Sequence, residues 1–459
     1  MITEPVNFHK RLVRIVSLLA GIALISIGLS SNAAIASEHT DIGPAQMLII
    51  GFGLLTAFMA CFPPQITGPY LMILISITAT LAASEFIVRS VVGPRYATPF
   101  TYDEELIFKL KPGATRIFKH TPENGGSDVE YHINERGFRG PELLLEEYRP
   151  RVVIYGDSFI HAEFTPLQET FAYQLQKQLA VNAQPGPEVI NAGVAGYGPD
   201  QIALKMEREL GWLKPKLAIV SLFSGNDFGD LLRNKLYKLD ENGFLQKNKI
   251  TIGAGQLNRM RISENEPILR KVFRDARKRL LQEKPSQAFN RLNMVDLSLA
   301  IHLEEYESYI VRKDNTVGAF AVDPYSSDIA VLPESPSALY KIQLMSRIVE
   351  RIKTIAAAHN TPIIIMIVPH PMDLLDGDHD SGWVDKLKYP NYSATRLSKL
   401  MEDIARSNKL THINLFPFFR AANPQALYLK GGDDHWNSLG QKLAASIVAA
   451  IITQGNYLK

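Results

Sequence analysis

Arg151-Val152-Val153-Ile154-Tyr155-Gly156-Asp157-Ser158-Phe159 decides how the rest of the chain is read. Four consecutive β-formers run into a Gly-Asp-Ser turn, and an amphipathic segment with helical spacing starts near Thr165. A short apolar run closed by glycine reads as a buried strand of a parallel sheet. Open α/β sheets gather functional groups just outside the carboxyl ends of such strands. Ser158 stands at that place and is the first candidate nucleophile.

Downstream, strands are expected at 152–155, 188–191, 217–223, 362–368 and 411–416. Helical patterns fall near 168–181, 199–213, 337–359, 394–407 and 438–452. This alternation implies a parallel sheet with helices on both faces and right-handed crossovers. Residues 230–336 break the rhythm. They carry Arg270-Lys271 and Arg277-Lys278-Arg279 on an expected surface helix, then a turn-rich loop over 314–336. So long a segment between two strands reads as an insertion.

Upstream, residues 96–150 read as a connector. Val129 to Asn134 alternates like an edge strand, and Glu135 to Gly140 reads as a turn, so the segment is expected to cover one edge of the main domain. Residues 1–95 hold three apolar stretches, 13–36, 42–62 and 70–92, each near the ~20 residues that span a bilayer. In the third, Glu85 and Arg89 stand four apart and can pair at the interface. Lys10, Arg11 and Arg14 put the N-terminus in the cytoplasm, while Glu38 and Asp41 mark the next loop. Ala34-Ile35-Ala36 before Ser37 also resembles a signal-peptidase site. With the first stretch retained or cleaved, the chain after residue 95 is expected outside the cytoplasm. The expected organisation is a membrane region of about three helices (1–95), the connector (96–150) and a catalytic domain (151–459, insertion about 230–336).

The 459 residues carry a net charge of +2, which with no long basic block argues against nucleic acid as a partner. The single cysteine, Cys61, excludes intrachain disulfides and cysteine metal sites. A serine needs a base to attack anything. Of eleven histidines, His435 stands out in Gly432-Asp433-Asp434-His435-Trp436-Asn437, between the last strand and the last helix. Asp433 and Asp434 are both near enough in sequence to orient its imidazole. Two other strand ends offer donors for a developing oxyanion. Asn191 to Gly198 is a glycine-rich turn, and Ser224-Gly225-Asn226-Asp227 presents a carboxamide. Nucleophile, backbone donor, amide donor and base together make an acyl-transfer set. His161 reads as a pocket-wall residue, His370 as a strand-end residue that can face the site, and Asp376 to Asp380 as a solvated acidic loop.

These blocks, in order across 151–459, resemble the SGNH (GDSL) hydrolase superfamily. The resemblance implies a flavodoxin-like three-layer α/β/α sandwich with Ser158 as nucleophile and His435 as base. It also implies an oxyanion hole from Ser158, Gly196 and Asn226, and no metal or organic cofactor. Most members place the orienting aspartate three residues before the histidine, where this chain has Gly432. Asp433 fits the Asp-x-His-Trp form of SGNH-like envelope polysaccharide O-acetyltransferases, and Asn134 to Arg139 resembles a segment of membrane-tethered members. The expectation is therefore a membrane-anchored, extracytoplasmic or periplasmic serine esterase. It would act on an O-acyl, first of all acetyl, group of an envelope glycan, in the company of polysaccharide machinery. The alternatives are an O-acyltransferase using the same residues and a non-catalytic envelope assembly module.

Overall fold

The computed structural model describes residues 4–30, 44–120, 128–144, 149–181, 185–253, 257, 266–280, 291–318, 325–375, 384–430 and 433–458. The chain divides into two compact units, Met1–Tyr96 with Gly253–Glu283, and Ala97–Ile252 with Lys284–Lys459. In chain order the N-terminal helices are α1 (Glu4–Ser30), α2 (Pro44–Phe58) and α3 (Pro64–Tyr96). Four short strands follow: β1 (Phe100–Asp103), β2 (Ile107–Leu110), β3 (Thr115–Phe118) and β4 (Val129–His132). Next come β5 (Arg151–Tyr155), α4 (Ser158–His161), α5 (Phe171–Leu179), β6 (Glu188–Asn191), α6 (Pro199–Leu213), β7 (Leu217–Phe223) and α7 (Asp227–Asn234). The inserted region holds β8 (Tyr237–Leu239), β9 (Leu245–Lys247), α8 (Ile268–Leu280), α9 (Arg291–Tyr306) and α10 (Ser327–Val331). The chain closes with α11 (Pro336–Ala358), β10 (Ile363–Val368), α12 (Pro371–Leu374), α13 (Arg396–Ser407), β11 (Thr411–Asn414), α14 (Phe416–Ala421) and α15 (Ser438–Gln454).

Five strands form one wholly parallel sheet in the order β11-β10-β7-β5-β6. Read from β6, this is the 2-1-3-4-5 order of the flavodoxin-like fold. Composition sets which strands lie inside. Every residue of β7 and β10 is buried; β10 reads as an unbroken apolar run, and β7 as one interrupted by the buried Ser221. The two edge strands carry the polar residues, Glu188 and Asn191 on β6 and Thr411, His412 and Asn414 on β11. On one face, α5 and α15 bury Phe171, Leu175, Ala444 and Val448 against Val152, Ile154 and Ile219.

Three expectations shift in detail. The last strand ends at Asn414 rather than Phe416, because the Asn414 carboxamide oxygen accepts the Phe416 N–H (3.0 Å) and starts α14. The connector alternates as expected, with Val129 and Tyr131 buried and Glu130 and His132 exposed. Among the described residues, however, its strands pair β1 with β2 and β3 with β4, and extend neither edge of the large sheet. The expected loop over 314–336 contains α10, whose Asp328 is drawn into the core by Lys341 at 2.6 Å. Among the described residues, α3 is the one helix long and apolar enough to cross a membrane, and the apolar segment Met47–Cys61 is shorter. The Ala34–Ser37 junction, Glu38, Asp41 and the acidic loop 376–380 lie outside the described residues.

Candidate active site

Ser158 opens α4 at the carboxyl end of β5, at the switch point between β5 and β7. Asp157 caps this helix, its carboxylate accepting the Phe159 N–H at 3.0 Å. The turn is short and strained. Ala162 follows it in the left-handed region (φ 54°), its N–H bonded to the Ser158 carbonyl at 2.7 Å.

So short a helix leaves carbonyls in need of partners, and distant segments supply donors to several of them. Asn191, at the end of β6, donates to the Ile160 carbonyl (2.6 Å) and accepts the Gly193 N–H (3.1 Å). Arg139 is almost fully buried and donates to the carbonyls of His161 (2.6 Å), Ala162 and Thr165 (2.6 Å). Burial lowers its pKa to about 10, leaving it charged at neutral pH. The turn that delivers Arg139 is built by Asn134, whose carboxamide oxygen accepts the N–H groups of Arg136 and Phe138, each at 3.0 Å. The Asn134-to-Arg139 segment therefore grips the backbone that carries the nucleophile, a role its sequence alone did not disclose.

His435 arrives from the loop after β11. Asn437 caps α15 by accepting the Leu439 and Gly440 N–H groups, and donates to the carbonyls of Ala426 and Tyr428. Trp436 is buried against Phe159 and Phe419. The imidazole lies between two phenyl rings, stacked on Phe159 (centroids 5.1 Å) and tilted against Phe164 (4.6 Å). His435 Nε2 is 2.7 Å from Ser158 Oγ, and Nδ1 is 2.7 Å from Asp433 Oδ1. A carboxylate only accepts, so Nδ1 carries the proton shared with Asp433. Asp433 Oδ1 also accepts the His435 backbone N–H at 2.9 Å. Asp434 Oδ1 stands farther from the same nitrogen, at 3.3 Å. Burial pulls the His435 pKa down. The bond to Asp433 and the charges of Asp434, Asp433 and Asp157 outweigh that pull and raise it to about 9.

Two further loops face the same edge. Gly196 adopts φ 81°, a conformation that strains any side chain, and its carbonyl accepts from Arg233 at 3.4 Å. In the same loop a Cβ on Gly193 would lie 2.5 Å from the His161 backbone nitrogen, so only glycine lets this loop close on α4. Asn226 is buried at the N-cap of α7, its carbonyl accepting the Asp230 N–H at 2.9 Å. Asp227 fastens the turn by accepting the Phe223 N–H at 2.7 Å.

The other histidines part company. His161 is wholly buried between Tyr131 and Phe100, and burial, then Arg139 and Arg116, hold its pKa well below the usual range. It is a core residue rather than a pocket wall. His370 does approach the site. Its Nδ1 accepts the Met372 N–H (3.1 Å), which leaves the proton on Nε2, 3.7 Å from Asp434 Oδ2. Burial lowers its pKa to about 3, so it is neutral. Among the described residues the one close group of potential metal ligands is Asp433, Asp434 and His435 themselves. Their contacts with Ser158 and with one another read as a base and its orienters.

No family model matches the chain, and no curated protein matches it. Solved structures give remote likenesses. An acetyl xylan esterase, AlAXEase, is 12% identical over 66% of this chain and 99% of its own, with a TM-score of 0.33. A lipase/acylhydrolase from Enterococcus faecalis is 12% identical over 66% of this chain and 96% of its own, also at 0.33. The psychrotrophic esterase EstA from Pseudoalteromonas sp. is 12% identical over 66% and 97%, at 0.32. Likenesses this remote decide neither reaction nor substrate, and the functional case rests on the side-chain geometry.

Proposed function

We propose that the chain is a membrane-anchored serine esterase of the SGNH type. Its catalytic unit would lie outside the cytoplasm and remove O-acyl groups, acetyl first among them, from an envelope glycan. The observation that carries the chemistry is the relay Asp433–His435–Ser158, with both hydrogen bonds at 2.7 Å. Neutral His435 takes the Ser158 proton at Nε2 as Oγ bonds to the acyl carbon. Asp433 holds the imidazole and balances the charge it gains. The N–H groups of Ser158 and Gly196 and the Asn226 amide are assigned to the oxyanion. Collapse breaks the bond to the sugar oxygen, which leaves with the proton from Nε2. Water, deprotonated by the same nitrogen, then releases the acid and restores Ser158. The outside location rests on α3 and on the basic residues near the N-terminus.

A second reading is transfer to a sugar hydroxyl in place of water. It is favoured by one observation: the carboxylate nearest His435 Nδ1 is two residues before it, the spacing that resembles envelope O-acetyltransferases. The test is labelling of the full chain by a serine-directed phosphonate, with a panel of acetyl esters and an added oligosaccharide acceptor. Labelling lost in Ser158→Ala, with acetate released, supports the esterase. Acetylated oligosaccharide without faster acetate release supports the transferase. Neither labelling nor turnover would leave a non-catalytic envelope module.

A further inference from the structure

The inserted helix α8 (Ile-Leu-Arg-Lys-Val-Phe-Arg-Asp-Ala-Arg-Lys-Arg-Leu) carries six basic residues against one acid. It belongs to the same compact unit as α3. Hydrogen bonds join them. The two oxygens of Glu85 on α3 accept the first N–H groups of α8, Ile268 at 3.0 Å and Leu269 at 2.9 Å. Lys271 then donates to the carbonyl of Tyr96, the last residue of α3, at 3.1 Å. The level of that joint can be read from α3 itself. From Pro64 the helix carries no charge until Glu85, a run of about 30 Å at 1.5 Å per residue, which matches the hydrocarbon core of a bilayer. Glu85 thus marks the boundary, and α8 starts there.

The outward face of α8 is unlike a merely solvated one. Ile268 and Lys271 point inward and are buried. Arg270, Phe273, Arg274 and Arg277 are exposed at i, i+3, i+4 and i+7, a single stripe along the helix. Arg270 and Arg274 lean on Glu266 (3.5 and 2.7 Å) yet keep 73% and 50% of their side-chain surface open. In their midst the Phe273 ring is 67% exposed. A ring set among guanidinium groups, at the level where an apolar span ends, fits a headgroup layer. Phosphates meet the arginines there, and the ring enters the acyl boundary.

We propose that α8 is a bilayer-surface helix. Its Arg270, Phe273, Arg274 and Arg277 stripe docks on anionic phospholipid headgroups of the leaflet where α3 ends. The proposal depends on α3 crossing a membrane and not on the esterase chemistry. It is tested on the full chain with Cys61→Ser, spin-labelled through Phe273→Cys or Ile75→Cys. The protein is placed in nanodiscs of phosphatidylcholine alone or with phosphatidylglycerol added, and collisions with oxygen and with a polar nickel complex are compared. With phosphatidylglycerol, the label at 273 should favour oxygen. That preference should be lost with phosphatidylcholine alone, in high salt, which screens exposed charges, and in Arg270→Glu/Arg277→Glu. A label at 273 that stays in water in both lipids, while that at 75 is lipid-embedded, overturns the docking and leaves the span intact. A label at 75 in water overturns the span and the docking with it, whatever the ester assays show. A label at 273 that responds to a soluble polyanion and not to phosphatidylglycerol assigns the stripe to an anionic polymer and overturns the lipid surface.

Discussion

Two clusters in the same compact unit hold a carboxylate and a histidine against a third polar group, and they are built for opposite ends. At the sheet edge, Asp433, His435 and Ser158 are joined by two bonds of 2.7 Å, with the imidazole and the Asp433 carboxylate each 20% exposed. Where α11 meets the inserted region, Lys341 donates to Asp328 (2.6 Å) and to His302 Nδ1 (3.0 Å), while His302 Nε2 donates to the Tyr325 carbonyl (2.8 Å). Lys341 and Asp328 have no exposed surface. Burial resists the charge on Asp328, but Lys341 and His302 hold its pKa below the usual range. Burial lowers that of Lys341. The buried cluster turns its hydrogen bonds on its own neighbours and fixes α9, α10 and α11 together. The edge cluster directs its last bond to a serine hydroxyl that a substrate can reach. Reactivity follows from what each cluster leaves open, rather than from the residue types it contains.

The largest effect should separate the clusters outright. Ser158→Ala or His435→Ala should lower kcat by about 10⁴-fold or more with little change in Tm, measured on acetyl esters. Lys341→Ala should do the reverse. It leaves Asp328 buried without its cation and should cost about 3–5 kcal/mol in denaturant unfolding, while turnover per folded molecule is kept. Arg139→Lys lies between. A lysine keeps the charge but cannot serve three carbonyls with a planar fork. A loss of roughly 2 kcal/mol is expected, together with a lower kcat as the Ser158 turn loosens. An unchanged kcat at reduced stability would make Arg139 a purely structural clamp.

The smallest effects concern pH. His435 acts as a base only when neutral, so kcat/KM should rise with pH and level off near 9. Asp434→Asn removes one of the charges that raise this pKa. It should move the limb downward and increase kcat/KM near neutrality by up to about tenfold, whereas Asp433→Asn should depress the rate at every pH. Stability has its own sign. The folded pKa of His435 lies above its ordinary value of 6.5, so its contribution is complete below about pH 6.5 and is lost as pH rises through about 9. Asp433 is the opposite case. Burial opposes its charge, but His435 holds its pKa below 3.8, so its contribution is present above about pH 3.8 and is lost as pH falls through the depressed folded value. Thermal melts across pH, with and without His435→Gln, read the first of these directly.

Local patterning determined a good deal. Apolar runs such as Val152 to Tyr155 and Ile363 to Val368, closed by turn residues and separated by helical spacing, specify a parallel α/β sheet. The reason is that burial on both faces demands such runs. The same runs place Ser158, Gly196, Asn226 and His435 on loops after strands, because a strand's end is a local event. Other features were beyond local reading. The order 2-1-3-4-5 depends on which strands exchange hydrogen bonds, and Ser158 meets His435 across 277 residues of sequence. The nearer carboxylate to Nδ1 is set by how Trp436 and Asn437 seat the loop. That Arg139 serves His161, Ala162 and Thr165, rather than solvent, is likewise decided by long-range packing of the connector. Such contacts gain their strength only when distant segments exclude water from them. Sequence by itself therefore determined the layers and the loops, and only the tertiary structure decided which polar groups those loops hold against one another.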